Sequence, residues 1–230
     1  MRKLLIVLFA VLSIAASAKT KSDRYDDGTL GAKLKFLYDT EYGKSPLIGI
    51  NYNGAEGANS DYLATKTSDT HHFGLEFCRI VFPTTTNFTF FTGVRMDRYE
   101  YFFKNNYTFE YTNGSIKPIE LNANVMPRYK SSELRTTYYG IPVGFNYKLG
   151  KKCSAEFFAF GGILGKSVNI VRSPKEKTEN PGGLNDFQFG LNASVQRKHL
   201  GLFVKYIPTS VFKEDAGPQA KTLSFGLLIR

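Results

Sequence analysis

Apolar and polar residues alternate along several segments of this chain, most clearly in Asp186–Gln196. In that segment apolar residues occupy every second position: Phe187, Phe189, Leu191, Ala193 and Val195. Successive residues of a β-strand point to opposite faces, whereas a helix would mix the two sets around its circumference. The same period, clean or partial, recurs in seven further segments: Ser45–Asn53, His71–Phe82, Phe88–Tyr101, Tyr138–Tyr147, Cys153–Gly165, Gly201–Tyr206 and Thr222–Arg230. The pattern predicts an all-β chain of about eight strands.

The first eighteen residues have the features of a secretory signal peptide. A basic start, Met1-Arg2-Lys3, precedes the apolar stretch Leu4–Ala16, and Ala16-Ser17-Ala18 supplies the small residues of a cleavage site before Lys19. The apolar stretch is shorter than the ~20 residues that a spanning helix needs, so a retained anchor is the weaker alternative. We therefore expect a mature chain that starts outside the cytoplasm.

Beyond this leader, no apolar run in the sequence is long enough to predict a transmembrane helix. In lipid, a chain without such helices can satisfy its backbone polar groups only as a closed barrel. The sequence thus leaves two readings: a soluble periplasmic or secreted domain, or a closed antiparallel transmembrane β-barrel in the outer membrane.

The connections between the predicted strands alternate between short and long. The short ones are Pro83–Asn87, Leu149–Lys152 and Arg197–His199, and the long polar ones are Gly54–Thr70, Phe102–Thr136, Arg172–Leu184 and Phe212–Ala220. Tight periplasmic turns and extended outer loops are typical of outer-membrane barrels. The longest loop contains Asn113-Gly114 between two strand-like runs, which predicts a β-hairpin rising above the membrane.

The two faces of the predicted strands differ in polarity. One face is Phe, Leu, Ile, Val and Tyr, and we expect it to meet lipid. The opposite face holds a polar cluster that we expect to lie in the lumen: Glu76, Arg95, Asp97, Glu156 and Lys205. About eight strands enclose an interior filled by side chains, and buried charges need partners. A structural role for this cluster is favoured over a transport pathway.

These patterns divide the chain into a signal peptide (residues 1–18), an N-terminal segment (19–45) and an outer-membrane barrel domain (46–230). Leu30 to Phe36 also alternates, within residues 28–38. That stretch is either a strand outside the barrel or a replacement for Ser45–Asn53 as the first barrel strand.

The second half of the chain resembles a known family. The ordered motifs are Tyr138-Tyr139-Gly140-Ile141-Pro142-Val143-Gly144-Phe145-Asn146-Tyr147, Ala155-Glu156 with Phe160-Gly161-Gly162-Ile163-Leu164, Asp186-Phe187 through Gly190-Leu191-Asn192-Ala193, Leu202–Tyr206 with Pro208 and Phe212, and Thr222–Leu227. Together they are similar to the PorT-like outer-membrane β-barrel family of Bacteroidota. The resemblance implies an outer-membrane location, insertion by the barrel-assembly machinery and no catalytic residues. It also raises the alternative of a component of a protein-secretion apparatus, with secretion subunits as partners.

No motif for catalysis, metal binding or a cofactor was found in the sequence. His71 and His72 are adjacent on a predicted strand and would face opposite ways, and His199 falls on a tight turn. A lipid-modifying Ser/His site near His71 and His72 is the disfavoured enzyme alternative. Cys78 and Cys153 lie on strands predicted not to be neighbours, so a disulfide is not favoured.

The sequence therefore predicts a non-enzymatic barrel with a structural or binding role, whose contact surface is the outer loops. The predicted partners are outer-membrane lipid and the assembly machinery. Nucleic acid is not expected, because the formal net charge of +10 is spread along the chain without a basic run. A soluble lipocalin-like binder with an apolar pocket remains the further alternative.

Overall fold

A computed structural model describes residues 39–42, 46–56, 61–66, 69–83, 87–104, 107–121, 131–172 and 176–229. Within these ranges the strands are β1 (Asp39–Tyr42), β2 (Leu47–Glu56), β3 (His71–Pro83), β4 (Phe88–Phe102), β5 (Tyr107–Thr112), β6 (Ser115–Glu120), β7 (Ser131–Lys148), β8 (Cys153–Arg172), β9 (Glu176–Glu179), β10 (Phe187–Arg197), β11 (Leu200–Ile207) and β12 (Gln219–Ile229). Across the described ranges, no helix has the length and apolar character to pass through a membrane.

Eight of these strands close into a barrel. Their order is β3-β2-β12-β11-β10-β8-β7-β4, every neighbouring pair is antiparallel, and β4 pairs back onto β3. Closure gives each of the eight strands a partner on both sides over part of its length, which reduces the free sheet edge. The predicted closed antiparallel barrel is confirmed.

The first barrel strand is made of two pieces. β2 pairs with His71–Gly74 of β3, and β1 pairs with Cys78–Val81 of the same strand. Because β4 occupies the other edge of β3, β1 and β2 lie end to end along one edge. The predicted boundary at residue 46 falls between them. The signal peptide and the alternating stretch Leu30–Phe36 lie outside the described residues.

The connections are sorted by length as the sequence predicted. Residues 84–87, 149–152 and 198–199 join β3 to β4, β7 to β8 and β10 to β11 at one end of the barrel. The long connections, including those that carry β5, β6 and β9, lie at the other end. We call these the short-turn end and the long-loop end.

The outer surface of the barrel is apolar. Val143 and Leu202 expose 60% and 68% of their surface. The exposed apolar residues of β10, β11 and β12 are Phe187, Phe189, Leu191, Val195, Leu200, Leu202, Val204, Tyr206, Leu223, Phe225, Leu227 and Ile229. The exposed charged residues of these strands are Arg197 at the short-turn end and Lys221 at the long-loop end. The alternate positions of these three strands are mostly buried, and they include the polar Gln188, Asn192, Lys205 and Ser224. This distribution is the reverse of that in a water-soluble barrel.

Two irregularities change which residues face the lumen. In β3 the register shifts between Glu76 and Cys78, so Phe77 is an extra residue with no partner in β4. A bulge of this kind inverts the alternation beyond it. Glu76 and Arg79 therefore both point inward, although they are three positions apart. A second shift lies between Thr137 and Tyr138 of β7.

Pro142 interrupts the pairing of β7 with β4 without forming a bulge. Pairing between β4 and β7 is interrupted there and resumes in the same register, from Thr92 opposite Val143 to Arg95 opposite Gly140. Proline has no N–H to donate to the ladder, which accounts for the gap. The Thr92 hydroxyl donates to the Pro142 carbonyl at 2.9 Å and so provides a replacement bond.

The hairpin of the longest loop forms as predicted but lies across the barrel mouth. β5 and β6 pair through Asn113 and Gly114, whose φ angles of 54° and 81° suit a type I′ turn. Phe109 and Ile116 are buried, and the Ile116 N–H donates to the Ala216 carbonyl at 2.6 Å. The hairpin therefore packs on the barrel end and does not stand free above it.

A charge placed on the outer face should destabilise the barrel according to its depth. We expect Val143→Arg, five residues inside the short-turn end of β7, to lower the free energy of unfolding in lipid vesicles by about 2–4 kcal/mol, because the guanidinium would enter hydrocarbon. Ile229→Arg, at the short-turn end of β12, should cost about 0–1 kcal/mol. Urea titration of refolded protein measures both, and equal losses would contradict a lipid-facing surface.

Candidate functional site: the luminal ion-pair clusters

Asp97 is the centre of a polar cluster in the lumen. We call it the upper cluster, since it lies nearer the long-loop end than the second cluster described below. The Arg95 side chain donates to both carboxylate oxygens, from Nε at 2.8 Å and from Nη2 at 2.9 Å. The Lys205 ammonium lies 2.7 Å from Asp97 Oδ1, and His72 Nε2 lies 2.9 Å from the same oxygen. All four side chains are almost completely buried. One carboxylate thus joins β4 to β3 and β11.

Gly74 leaves room for this cluster because it has no side chain. A Cβ at this position would lie 2.8 Å from Arg95 Nη2 and 2.8 Å from Asp97 Oδ1. Contacts this short do not occur between such atoms. A side chain on residue 74 would therefore displace the ion pair.

A second cluster lies nearer the short-turn end and is centred on Arg79. Its guanidinium binds Glu76 of the same strand and Glu156 of β8, from Nη1 to Glu156 Oε2 at 2.7 Å and from Nη2 to Glu76 Oε2 at 2.9 Å. The ring of Phe91 lies under the guanidinium, 3.9 Å from its central carbon. Arginine suits this position because its planar fork serves two carboxylates while one face stacks on an aromatic ring.

Aromatic rings separate and cover the two clusters. Lys205 Nζ lies 3.9 Å from the centre of the Phe160 ring, and the Arg95 guanidinium lies 4.8 Å from that of Phe158. His72 stacks on Tyr99 with ring centres 4.7 Å apart. These rings exclude water while they stabilise the cations through their π faces.

The structure brings the five predicted luminal residues into two groups. Arg95, Asp97 and Lys205 meet in the upper cluster, and Glu76 and Glu156 meet through Arg79. Sequence reasoning missed Arg79, because strict alternation places it on the outer face and only the bulge turns it inward. It also did not include His72 in the luminal cluster, whereas this imidazole is buried against Asp97. The alternation places His72 on the same inward face as Glu76, and this position could have predicted its burial.

The two clusters balance each other in charge. Together they hold three carboxylates (Glu76, Asp97, Glu156) and three cations (Arg79, Arg95, Lys205), each in contact with an opposite charge. Buried ions are tolerated when they are paired and hydrogen-bonded. The arrangement therefore suits a filled and rigid interior.

An aromatic layer closes the lumen above the ion pairs. Tyr99, Tyr101 and Tyr138 pack below Phe103, Phe109 and Phe212 in one continuous buried cluster. Phe109 of the hairpin contacts both Phe103 and Phe212 edge to face, with ring centres 6.0 and 5.6 Å apart. The loops at this end are thus anchored to the barrel interior.

The histidine and cysteine side chains of the described ranges lie apart from one another. No group of three or more His, Cys, Asp or Glu side chains in these ranges could hold a metal ion. His71 and His72 face opposite ways, as strand geometry predicts, with His71 exposed and His72 buried. Cys78 and Cys153 are both free thiols on non-adjacent strands.

Comparisons with known proteins return solved outer-membrane barrels. One is the crystal structure of Ail, the attachment invasion locus protein of Yersinia pestis, at 10% identity and a TM-score of 0.38, covering 84% of this chain and 97% of that one. Another is Ail in complex with the heparin analogue sucrose octasulfate, at 12% identity and 0.36, covering 82% and 99%. A mutant of the Rh. blastica porin matches at 10% identity and 0.20, covering 84% and 99%. No protein-family model and no curated protein matches the chain. The fold assignment therefore rests on the strand pairing itself.

Removal of the Asp97 charge should destabilise the barrel strongly. Asp97→Asn leaves Arg95 and Lys205 buried without their counter-ion, and breaking a buried pair in this way costs about 3–5 kcal/mol. Adding Lys205→Met should recover part of that loss, because one uncompensated cation is then gone. Urea titration of the refolded variants measures the free energy of unfolding.

The matched control is Asp186→Asn, since Asp186 forms an exposed pair with Lys213 at 2.8 Å in the long loops. The hydrogen bond from Lys213 to Asp186 raises the pKa of this lysine, but solvent screens the pair. Little change in stability is expected. If Asp97→Asn were as mild as Asp186→Asn, the upper cluster would not hold the interior together.

Proposed function

We propose that the chain is an outer-membrane β-barrel protein with a sealed interior, which has a structural or binding role and acts through its ends. The observation that carries the proposal is the inverted barrel: Phe, Leu and Val rows cover the outside, and paired charges fill the middle. Such a surface is stable only in contact with lipid. Insertion by the barrel-assembly machinery is part of the proposal.

A sealed lumen argues against transport, so a binding role would use the long loops. The outward side of the hairpin presents Tyr111 and Ile119, and Tyr62 of the first long loop packs edge to face on Tyr107 at 4.9 Å. Tyrosines held on a fixed backbone provide contact area at a small cost in conformational entropy. We therefore assign the contact surface to this end, and no step in this role requires a catalytic residue.

The lipocalin-like alternative requires an apolar pocket and a hydrated exterior, and the geometry has the opposite arrangement. A role in a secretion apparatus stays a prediction from the family resemblance. Co-purification of secretion subunits with the tagged protein tests it.

Fractionation combined with gel mobility tests the proposed function. The protein should stay in the membrane pellet after a carbonate wash, and unboiled and boiled samples should migrate differently because the closed barrel resists detergent. A protein released by carbonate, with one mobility, would contradict an outer-membrane barrel.

Replacing Tyr107–Glu120 by a short turn gives a sharper version of the same test. Neither β5 nor β6 pairs with any of the eight barrel strands, so the mobility shift should survive the replacement while loop-mediated binding is lost. If the shift disappeared, the hairpin would be needed for the barrel itself, and its assignment as a contact surface would be wrong.

A further inference from the structure

Two turns at the short-turn end lie side by side and carry a concentration of positive charge. The β7–β8 turn has Lys148, Lys151 and Lys152, and the β10–β11 turn has Arg197 and Lys198, all of them exposed. We call these five residues the basic turn patch. The Lys198 N–H donates to the Lys152 carbonyl at 2.9 Å, and Arg197 pairs with Cys153 across β10 and β8. The two turns therefore form one continuous surface.

No carboxylate lies on either turn. Residues 148–152 and 197–200 contain neither Asp nor Glu, and Glu156, the next acidic residue of β8, points into the lumen toward Arg79. Lysines at the long-loop end differ in this respect: Lys177 pairs with Glu179 at 3.2 Å, and Lys213 pairs with Asp186. The basic turn patch is thus a site of excess positive charge, which attracts anions.

Exposed aliphatic residues flank the cations. Leu149 lies in the β7–β8 turn and Leu200 begins β11 next to the other turn; they expose 57% and 56% of their surface. Val195, two residues before Arg197 in β10, exposes 57%. Val195 and Arg197 share the outward phase of β10, so the cation borders the apolar belt directly. Cations next to an apolar band are placed where the phosphates of a lipid layer lie.

We propose that the basic turn patch binds the headgroups of anionic phospholipids in the periplasmic leaflet. This inference rests on the proposed function, because the short turns face the periplasm only if the barrel spans the outer membrane. Five cations held on two linked turns would collect anionic lipid around one side of the barrel and fix its depth at the inner interface.

Lipid selectivity in proteoliposomes tests the proposal. The protein is refolded into phosphatidylcholine vesicles that contain trace spin-labelled phosphatidylglycerol or spin-labelled phosphatidylcholine, and the motionally restricted fraction of each label gives a relative association constant. We expect phosphatidylglycerol to be favoured by about fivefold, the factor for one Lys or Arg beside an anionic headgroup, and the preference to vanish in high salt.

The test variant neutralises the patch through Lys148→Gln, Lys151→Gln, Lys152→Gln, Arg197→Gln and Lys198→Asn. Asparagine is chosen at position 198 because the backbone there has a φ of 55°, which asparagine tolerates. The matched control neutralises five exposed lysines at the long-loop end: Lys66, Lys104, Lys117, Lys177 and Lys213.

The two sets of variants separate the possible results. The patch variant should lose the preference for phosphatidylglycerol and the control variant should keep it. Equal selectivity in the patch variant and the unchanged protein would overturn the proposal, as would loss of selectivity in the control variant alone. Failure of the proposed function would give a different result: neither spin label would show a motionally restricted component, and boiled and unboiled samples would migrate alike.

Discussion

The backbone hydrogen bond is the constraint from which the rest of this architecture follows. In the proposed membrane location a strand in hydrocarbon has no water to bond, so the sheet must close on itself. The pairing of β4 back onto β3 gives this closure. Closure creates an inside and an outside with opposite solvents. The outer positions must then be apolar, and any charge must be placed within the lumen and paired there. Asp97 and Arg79 organise this pairing, each by binding groups from more than one strand.

The sequence was sufficient for those features that depend on local periodicity. Alternation in Asp186–Gln196 predicted which residues face out, the spacing of strands predicted the short and long connections, and Asn113-Gly114 predicted the hairpin. Features that depend on a break in periodicity were missed. The bulge at Phe77 turns Arg79 inward, and the sequence of one strand does not show that it has an extra residue relative to its neighbour. The closing position of the hairpin and the joining of two basic turns depend on segments far apart in the sequence.

A filled lumen leaves the molecule with two exposed ends of different chemistry. The long-loop end is anchored by aromatic packing between the hairpin and the barrel interior, and it presents tyrosines among charges of both signs. The short-turn end presents cations beside leucines. The barrel between them encloses the buried ion pairs and links the two ends.

Quenching of single tryptophans by brominated lipid tests the inverted distribution most directly. The chain has no tryptophan, and Phe203 and Val204 are successive residues of β11, one 4% and the other 45% exposed. In vesicles of lipid with brominated acyl chains, the account predicts strong quenching for Val204→Trp and little for Phe203→Trp. Strong quenching at residue 203 with little at residue 204 would show that the apolar rows point inward, and equal quenching would show that neither face is reserved for lipid.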